Sequence, residues 1–273
     1  MNIMKNRILS FVTAACALFL ASCLQHEMTI TLNKDGSGTL VEETVMGGEM
    51  LAMLEEMAAG FGGGQDAGGG PLDDLLSEDK AKKRAGELGE GVTFAKIEPI
   101  DANGGKGARV TYNFEDINKL RPDLGSGMNN MPGADEDDQD TKENPLVFQY
   151  EGGKLTLTMP KPEKDEAADA VQDVEMPDDP QATAMMKQVF RDMKMSMKLV
   201  IAPGIAETNA THRDGDTITL MEMDFGKIVE NPDGLKKLAA TQNEEDPARI
   251  MESLKDIDGM KIETEPELTV TLK

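Results

Sequence analysis

Met28-Thr29-Ile30-Thr31-Leu32 alternates apolar side chains with threonine, the period-two pattern of a strand with one buried face. The turn residues Asn33-Lys34-Asp35-Gly36-Ser37-Gly38 follow, and residues 39–46 predict a returning strand. The chain closes on Leu268-Thr269-Val270-Thr271-Leu272, which has the same alternation. Strands of this kind predict an antiparallel sheet with one face on the core.

Further strands and several helices surround this hairpin. Strands are predicted at residues 92–97, 109–114, 146–150, 154–159, 195–201 and 217–220. Five segments predict helices, including one that Ser77 caps and Gly89 ends. We therefore predict an α+β fold, a mainly antiparallel sheet with helices on one face and with disordered acidic and glycine-rich loops. A two-sheet sandwich is the alternative, and the five helices count against it.

The amino-terminal segment has the pattern of a secretory signal. Lys5 and Arg7 precede an uncharged run at residues 8–20 that is shorter than the ~20 residues of a membrane-spanning helix. The small residues of Leu20-Ala21-Ser22-Cys23 then mark a cleavage point. Here the sequence resembles the lipobox of bacterial lipoproteins, which implies cleavage before Cys23 and its thioether lipidation. An ordinary signal peptide with a chance cysteine is the alternative.

These features predict the domain organisation. Residues 1–22 are a lipoprotein signal peptide, and residues 23–27 are a lipid-anchored tether. One α+β domain occupies residues 28–273. Its composition predicts disordered insertions near residues 60–70, 121–144 and 161–178.

Charge and cysteine content narrow the function classes. The chain has 51 acidic and 28 basic residues and a formal net charge of −23, which argues against nucleic acid as a partner. It also argues against electrostatic adhesion to anionic headgroups, so the lipid chains must supply membrane attachment. Of the two cysteines, Cys16 lies in the signal and Cys23 would be acylated. Leu24 rather than Asp follows Cys23, and by resemblance to diderm lipoproteins this implies the outer membrane.

The order of features also resembles the LppM-like domain of bacterial lipoproteins. The similar stretches are Asp35-Gly36-Ser37-Gly38, Tyr112-Asn113-Phe114-Glu115-Asp116, Ile201-Ala202-Pro203-Gly204, Asn209 and Asp214-Gly215-Asp216-Thr217. The resemblance implies an α+β envelope domain that handles or senses lipids. It assigns no site residue other than Cys23.

Two sequence patterns suggest metal ligands. Met193, Met195 and Met197, with Met221 and Met223, could offer thioethers to Cu(I), but the same spacing describes a buried strand face. The 33–38 turn places oxygen ligands as an EF-hand loop does. The twelfth position is Thr44 instead of the bidentate glutamate, which favours a plain hairpin turn.

No nucleophile motif, zinc motif or phosphate loop occurs in the sequence. We therefore predict no enzyme activity, no catalytic residue, no cofactor and no metal. The predicted function is that of a membrane-anchored envelope lipoprotein whose domain binds a protein or lipid partner. The alternatives are a lipid-handling module with an apolar pocket, a weak hydrolase and a Cu(I)-binding protein.

Overall fold

The computed structural model describes residues 24–48, 50–52, 71–102, 104–123, 145–159, 187, 190–231, 233–234, 237, 249, 253–255 and 257–273. The predicted signal peptide, Cys23, and the insertions near 60–70 and 161–178 lie outside the described residues. Of the insertion predicted near 121–144, residues 121–123 belong to the fold, because Arg121 N–H donates to the Leu88 carbonyl at 2.7 Å.

Twelve strands are found in the described part of the chain. They are β1 (Leu24–Leu32), β2 (Gly38–Gly47), β3 (Thr93–Ala102), β4 (Gly105–Phe114), β5 (Val147–Glu151), β6 (Lys154–Thr158), β7 (Lys194–Ile201), β8 (Ile205–Thr208), β9 (Arg213–Asp214), β10 (Thr217–Asp224), β11 (Met260–Ile262) and β12 (Glu267–Leu272). Three α-helices, α1 (Pro71–Leu75), α2 (Glu78–Glu87) and α3 (Phe225–Glu230), and a 3₁₀ turn at Ile117–Lys119 accompany them.

The strands form two sheets. The larger has eight strands in the order β11-β10-β7-β1-β2-β4-β3, with β9 added beside β10. The smaller has four in the order β5-β6-β12-β8. Strand β1 lies inside the large sheet, antiparallel to β2 and parallel to β7. The other strand pairings of the described residues are antiparallel.

The predicted β1–β2 hairpin is confirmed, and its glycines explain the sharp turn and the close approach of its two strands. Gly36 has φ +89°, a left-handed conformation that costs glycine little. A Cβ on Gly38 would lie 1.9 Å from the Thr31 carbonyl oxygen, so a larger residue would separate the strands. Across the turn, Asn33 N–H donates to the Ser37 carbonyl at 2.8 Å.

The two faces of the large sheet differ as the alternation predicts. On the inner face Met28, Ile30 and Leu32 are at most 1% exposed, because they pack into the core. The intervening threonines are on the outer face and half-buried. Charged side chains on the outer face pair across strands, as Glu43 does with Arg109.

Both sheets contribute to one hydrophobic core. Ile30 and Leu199 of the large sheet share a cluster with Phe148 and Leu268 of the small sheet, and Leu88 after α2 joins them. The predicted α+β class, with mainly antiparallel sheets, is confirmed. The prediction that helices cover one face of the sheet is met only in part. In the described residues, the small sheet and α2 together pack on the inner face of the large sheet. The hairpin β5–β6 and the last strand together supply the apolar area expected of helices.

Candidate functional site

The end of the large sheet at which β1 begins is called the proximal end. Leu24, the first residue that the structure describes, is already in β1, pairs with Met46 and is 2% exposed. The predicted tether at residues 23–27 is therefore wrong for residues 24–27, which are strand. Gln25, His26 and Glu27 look like a polar tether in sequence, yet both neighbouring strands pair with them. The described structure begins in a strand, one residue after Cys23.

An apolar cluster occupies the proximal end. Its buried members are Leu24, Met46, Leu51, Met193 and Met195, and its half-buried members are Leu72, Leu75, Phe190 and Phe225. The rings of Phe190 and Phe225 are stacked, with centroids 6.0 Å apart. Backbone hydrogen bonds fix this geometry, because Met193 N–H donates to the Phe190 carbonyl at 3.1 Å and Phe225 N–H donates to the Met193 carbonyl at 3.0 Å.

Basic residues lie within four positions of the two phenylalanines in the sequence. Lys194 and Lys227 are 55% and 60% exposed, and their Nζ atoms lie 3.3 and 3.8 Å from an Asp224 carboxylate oxygen. Asp224 is 15% exposed and also caps α3, since its side chain accepts from Lys227 N–H. Arg191, next to Phe190, is exposed.

A second group of functional side chains lies on the inner face of the large sheet. We call His26, Glu42, Thr44, Arg84 and Tyr112 the inner-face cluster. Arg84 reaches down from α2 and donates from Nε and Nη2 to Glu42 Oε1 at 3.3 and 3.2 Å. The side chains of Arg84 and Glu42 are only 17% and 12% exposed, so this ion pair is largely sealed from water.

Tyr112 is hydrogen-bonded to this pair, and His26 is hydrogen-bonded to Thr44. The Tyr112 hydroxyl donates to the Glu42 carboxylate, and burial together with that negative charge raises the pKa of Tyr112. His26 Nδ1 lies 2.9 Å from Thr44 Oγ1. Burial lowers the pKa of His26; the Glu42 charge opposes this effect and Arg84 adds to it. At neutral pH the cluster therefore holds a neutral imidazole beside a carboxylate–guanidinium pair.

This arrangement is suited to fixing α2 on the sheet. The charges of Arg84 and Glu42 neutralise each other, and Arg84 Nη1 also lies 3.6 Å from Glu87 Oε2 of the same helix. His26 and Thr44 also place an imidazole nitrogen next to a hydroxyl, the pairing of a base with a nucleophile. That pair is what the weak-hydrolase alternative would use.

Sequence analysis missed the inner-face cluster, although two signals point to it. Arg84 follows Ala81 by three residues and precedes Leu88 by four, so it stands within the buried stripe of its helix. Glu42 stands two residues after the buried Leu40, at a position of β2 that alternation turns inward. An arginine and a glutamate at inward positions predict a buried ion pair.

The methionines considered as Cu(I) ligands line the inner face. Met195 pairs with Met223 and Met197 with Met221, on neighbouring strands. Met195 and Met197 are each 2% exposed, as buried core residues are. Copper binding stays an alternative, which a Cu(I) titration tests. Within the described ranges, no three His, Cys, Asp or Glu residues are grouped to hold a metal.

The 33–38 turn is closed by its own hydrogen bonds. The Asp35 carboxylate accepts from Ser37 Oγ at 2.6 Å and from Ser37 N–H at 3.0 Å, and these bonds lower its pKa. The Tyr150 hydroxyl donates to the Lys34 carbonyl at 2.7 Å, which holds the turn against the small sheet. The hairpin interpretation explains these residues.

Glu263 is a buried carboxylate with a structural role. It is 0% exposed. It accepts from Thr211 N–H at 2.9 Å, Thr211 Oγ1 at 2.8 Å and Thr264 N–H at 2.9 Å. These bonds join the loop before β9 to the connection between β11 and β12.

Cys23, the predicted lipidation site, lies outside the described residues. In the part that the structure describes, no helix is both long and apolar enough to cross a membrane. No family model and no curated protein matches the chain. Among solved structures it is similar to the NMR structure of the folded domain of LppM from Mycobacterium tuberculosis. That similarity has 11% identity and a TM-score of 0.33, and it covers 76% of this chain and 86% of that one.

Proposed function

We propose that this protein is a non-enzymatic envelope lipoprotein, held in the outer membrane by lipid on Cys23, whose domain binds a protein or lipid partner. One observation carries the proposal. The stretch Leu20-Ala21-Ser22-Cys23 ends an apolar run behind Lys5 and Arg7, and Leu24 already belongs to strand β1. A cleavage just before Cys23 would thus remove the signal and leave the whole described fold intact.

Metabolic palmitate labelling tests the anchor. Wild type should be labelled and sediment with membranes, whereas Cys23→Ala should lose the label and become soluble. Cys16→Ala is the matched control, because it removes the other cysteine and should keep both label and membrane retention. The anchor would be contradicted by an unlabelled wild type together with a Cys23→Ala protein that is still cleaved and soluble.

The non-enzymatic part is tested separately. A broad hydrolase screen of the mature chain should give no turnover that depends on the inner-face cluster. Thr44→Val is the diagnostic variant, because it removes the hydroxyl beside His26 Nδ1 and keeps the shape of the side chain. Turnover in wild type that Thr44→Val abolishes would make this an enzyme.

Native mass spectrometry of gently purified protein addresses the partner. A mass above that of the acylated chain, lost on lipid extraction, identifies the partner as lipid. A bare mass directs the search to proteins of the envelope.

A further inference from the structure

The distance between the proposed anchor and the fold is unusually short. Leu24 is buried, paired with Met46 and directly bonded to Cys23 in sequence. One residue spans at most about 3.6 Å, so an acyl group on Cys23 must begin within a few ångströms of the proximal end. A domain with so short a connection cannot swing freely above a bilayer.

The chemistry of the proximal end fits a lipid surface. Phe190, Phe225, Leu72 and Leu75 are half-buried apolar side chains around the first residue of β1. Phenylalanine and leucine are among the side chains that membrane-surface segments bury at the boundary between headgroups and acyl chains. Phenylalanine is also scarce here, with eight in 273 residues, and two of those eight are stacked at this end.

The charges at the proximal end differ from those of the chain as a whole. The chain has 51 acids against 28 bases. Beside the two phenylalanines, however, stand the exposed cations Arg191, Lys194 and Lys227. The acids next to the apolar side chains of the cluster are Asp73, Asp74, Asp192 and Asp224. Asp224 lies near both lysines and Asp74 pairs with Lys80, so charges of the two signs are nearly balanced at this end. Long basic side chains can keep their charged heads among phosphates while their stems cover apolar surface.

We infer that the proximal end is a membrane-docking surface, on which the domain stands upright with β1 pointing away from the bilayer. The inference rests on the proposed lipid anchor and adds an orientation to it. Phe190 and Phe225 would lie at the boundary between headgroups and acyl chains. The 33–38 turn and Tyr150 would lie at the far end of β1, about 25–30 Å away at ~3.3 Å per strand residue.

The lack of tryptophan in the sequence allows a direct test. The full-length lipoprotein carrying Phe190→Trp is purified in lipidated form and reconstituted into phosphatidylethanolamine–phosphatidylglycerol vesicles with brominated acyl chains. The matched control is Tyr150→Trp, which places the only tryptophan at the opposite end of β1. Phe225→Trp is a second reporter in case Phe190→Trp fails to fold.

Side chains that enter the interface lie ~5–10 Å into it, so we expect bromolipid to quench Phe190→Trp emission about twofold or more. Emission of Tyr150→Trp should be unchanged. Vesicle flotation of each sample separates the two proposals. If both variants float and neither reporter at the proximal end is quenched, docking is overturned while the anchor stands. Equal quenching at both ends also overturns it, since the domain would then lie on its side. If neither variant floats, the anchor fails and docking fails with it.

Discussion

Two arginine–glutamate pairs stand on opposite faces of the same strand. Glu42 faces inward and binds Arg84, with side chains 12% and 17% exposed. Its neighbour Glu43 faces outward and binds Arg109, with side chains 34% and 46% exposed. Both pairs join a carboxylate to a guanidinium, and they differ in how far water reaches them. The difference shows how β alternation alone decides whether an ion pair becomes part of the core or part of the surface.

The largest effect is expected on breaking the inner pair. Arg84→Met keeps the bulk of the side chain but leaves the Glu42 carboxylate buried without its cation. We expect the free energy of unfolding to fall by about 3 kcal/mol, as for other broken buried pairs. Urea denaturation of the mature chain measures this change.

A double variant identifies the cause of that loss. Arg84→Met with Glu42→Leu removes both charges, and it should recover most of the stability lost by Arg84→Met alone. If the double variant is as unstable as the single one, the guanidinium acts through packing and not through its charge.

A smaller effect is expected from the pH response of His26. Because burial lowers its pKa in the folded protein, the unfolded chain binds more protons near the unfolded value of about 6.5. The free energy of unfolding should therefore fall as the pH drops through 6.5 towards the folded pKa, and it should be at full value above that range. Urea denaturation at several pH values should show a weaker pH dependence in His26→Gln than in wild type. His212→Gln, which removes the other imidazole, is the matched control.

The smallest effect is expected on breaking the outer pair. Arg109→Met leaves Glu43 in contact with water, so the free energy of unfolding should change by less than about 1 kcal/mol. Added salt should shrink that change further, because exposed charges are screened. A loss as large as that of Arg84→Met would mean that exposure does not separate the two pairs.

The correct predictions concern residues whose secondary structure is determined by their neighbours along the chain. The alternation of β1 and the glycine turn at 36–38 are local signals, and the hairpin they predict is present. The 109–114 strand was predicted too short, because β4 begins at Gly105. Glycines are typical of loops, and those at the start of β4 therefore hide the strand. A Cβ at Gly107 would lie 1.8 Å from the Thr44 carbonyl oxygen, so the close approach of the two strands requires glycine there.

The features that were not predicted are contacts between residues far apart in the sequence. The segment before Met28 reads as a tether because its polar residues have no partner nearby in the chain. His26 bonds to Thr44, and Glu27 bonds to Lys198, only after β1, β2 and β7 have paired. Arg84 and Glu42 likewise meet across 42 positions of sequence. No local pattern could assign those partners, although the inward positions could have been noticed.

The place of β1 inside the large sheet has a consequence for the order of events in the cell. Glu27 and Ser196 are hydrogen-bonded neighbours but 169 residues apart along the chain. In a chain exported as proposed, β1 would emerge early, and its partner β7 would follow only after most of the remaining chain has crossed. Closing so long a loop delays folding, so β1 stays open on one side for much of that time. For the proposed lipoprotein, this interval is also when Leu24, next to the proposed cleavage point, would still be exposed, since Leu24 is buried once the sheet has closed.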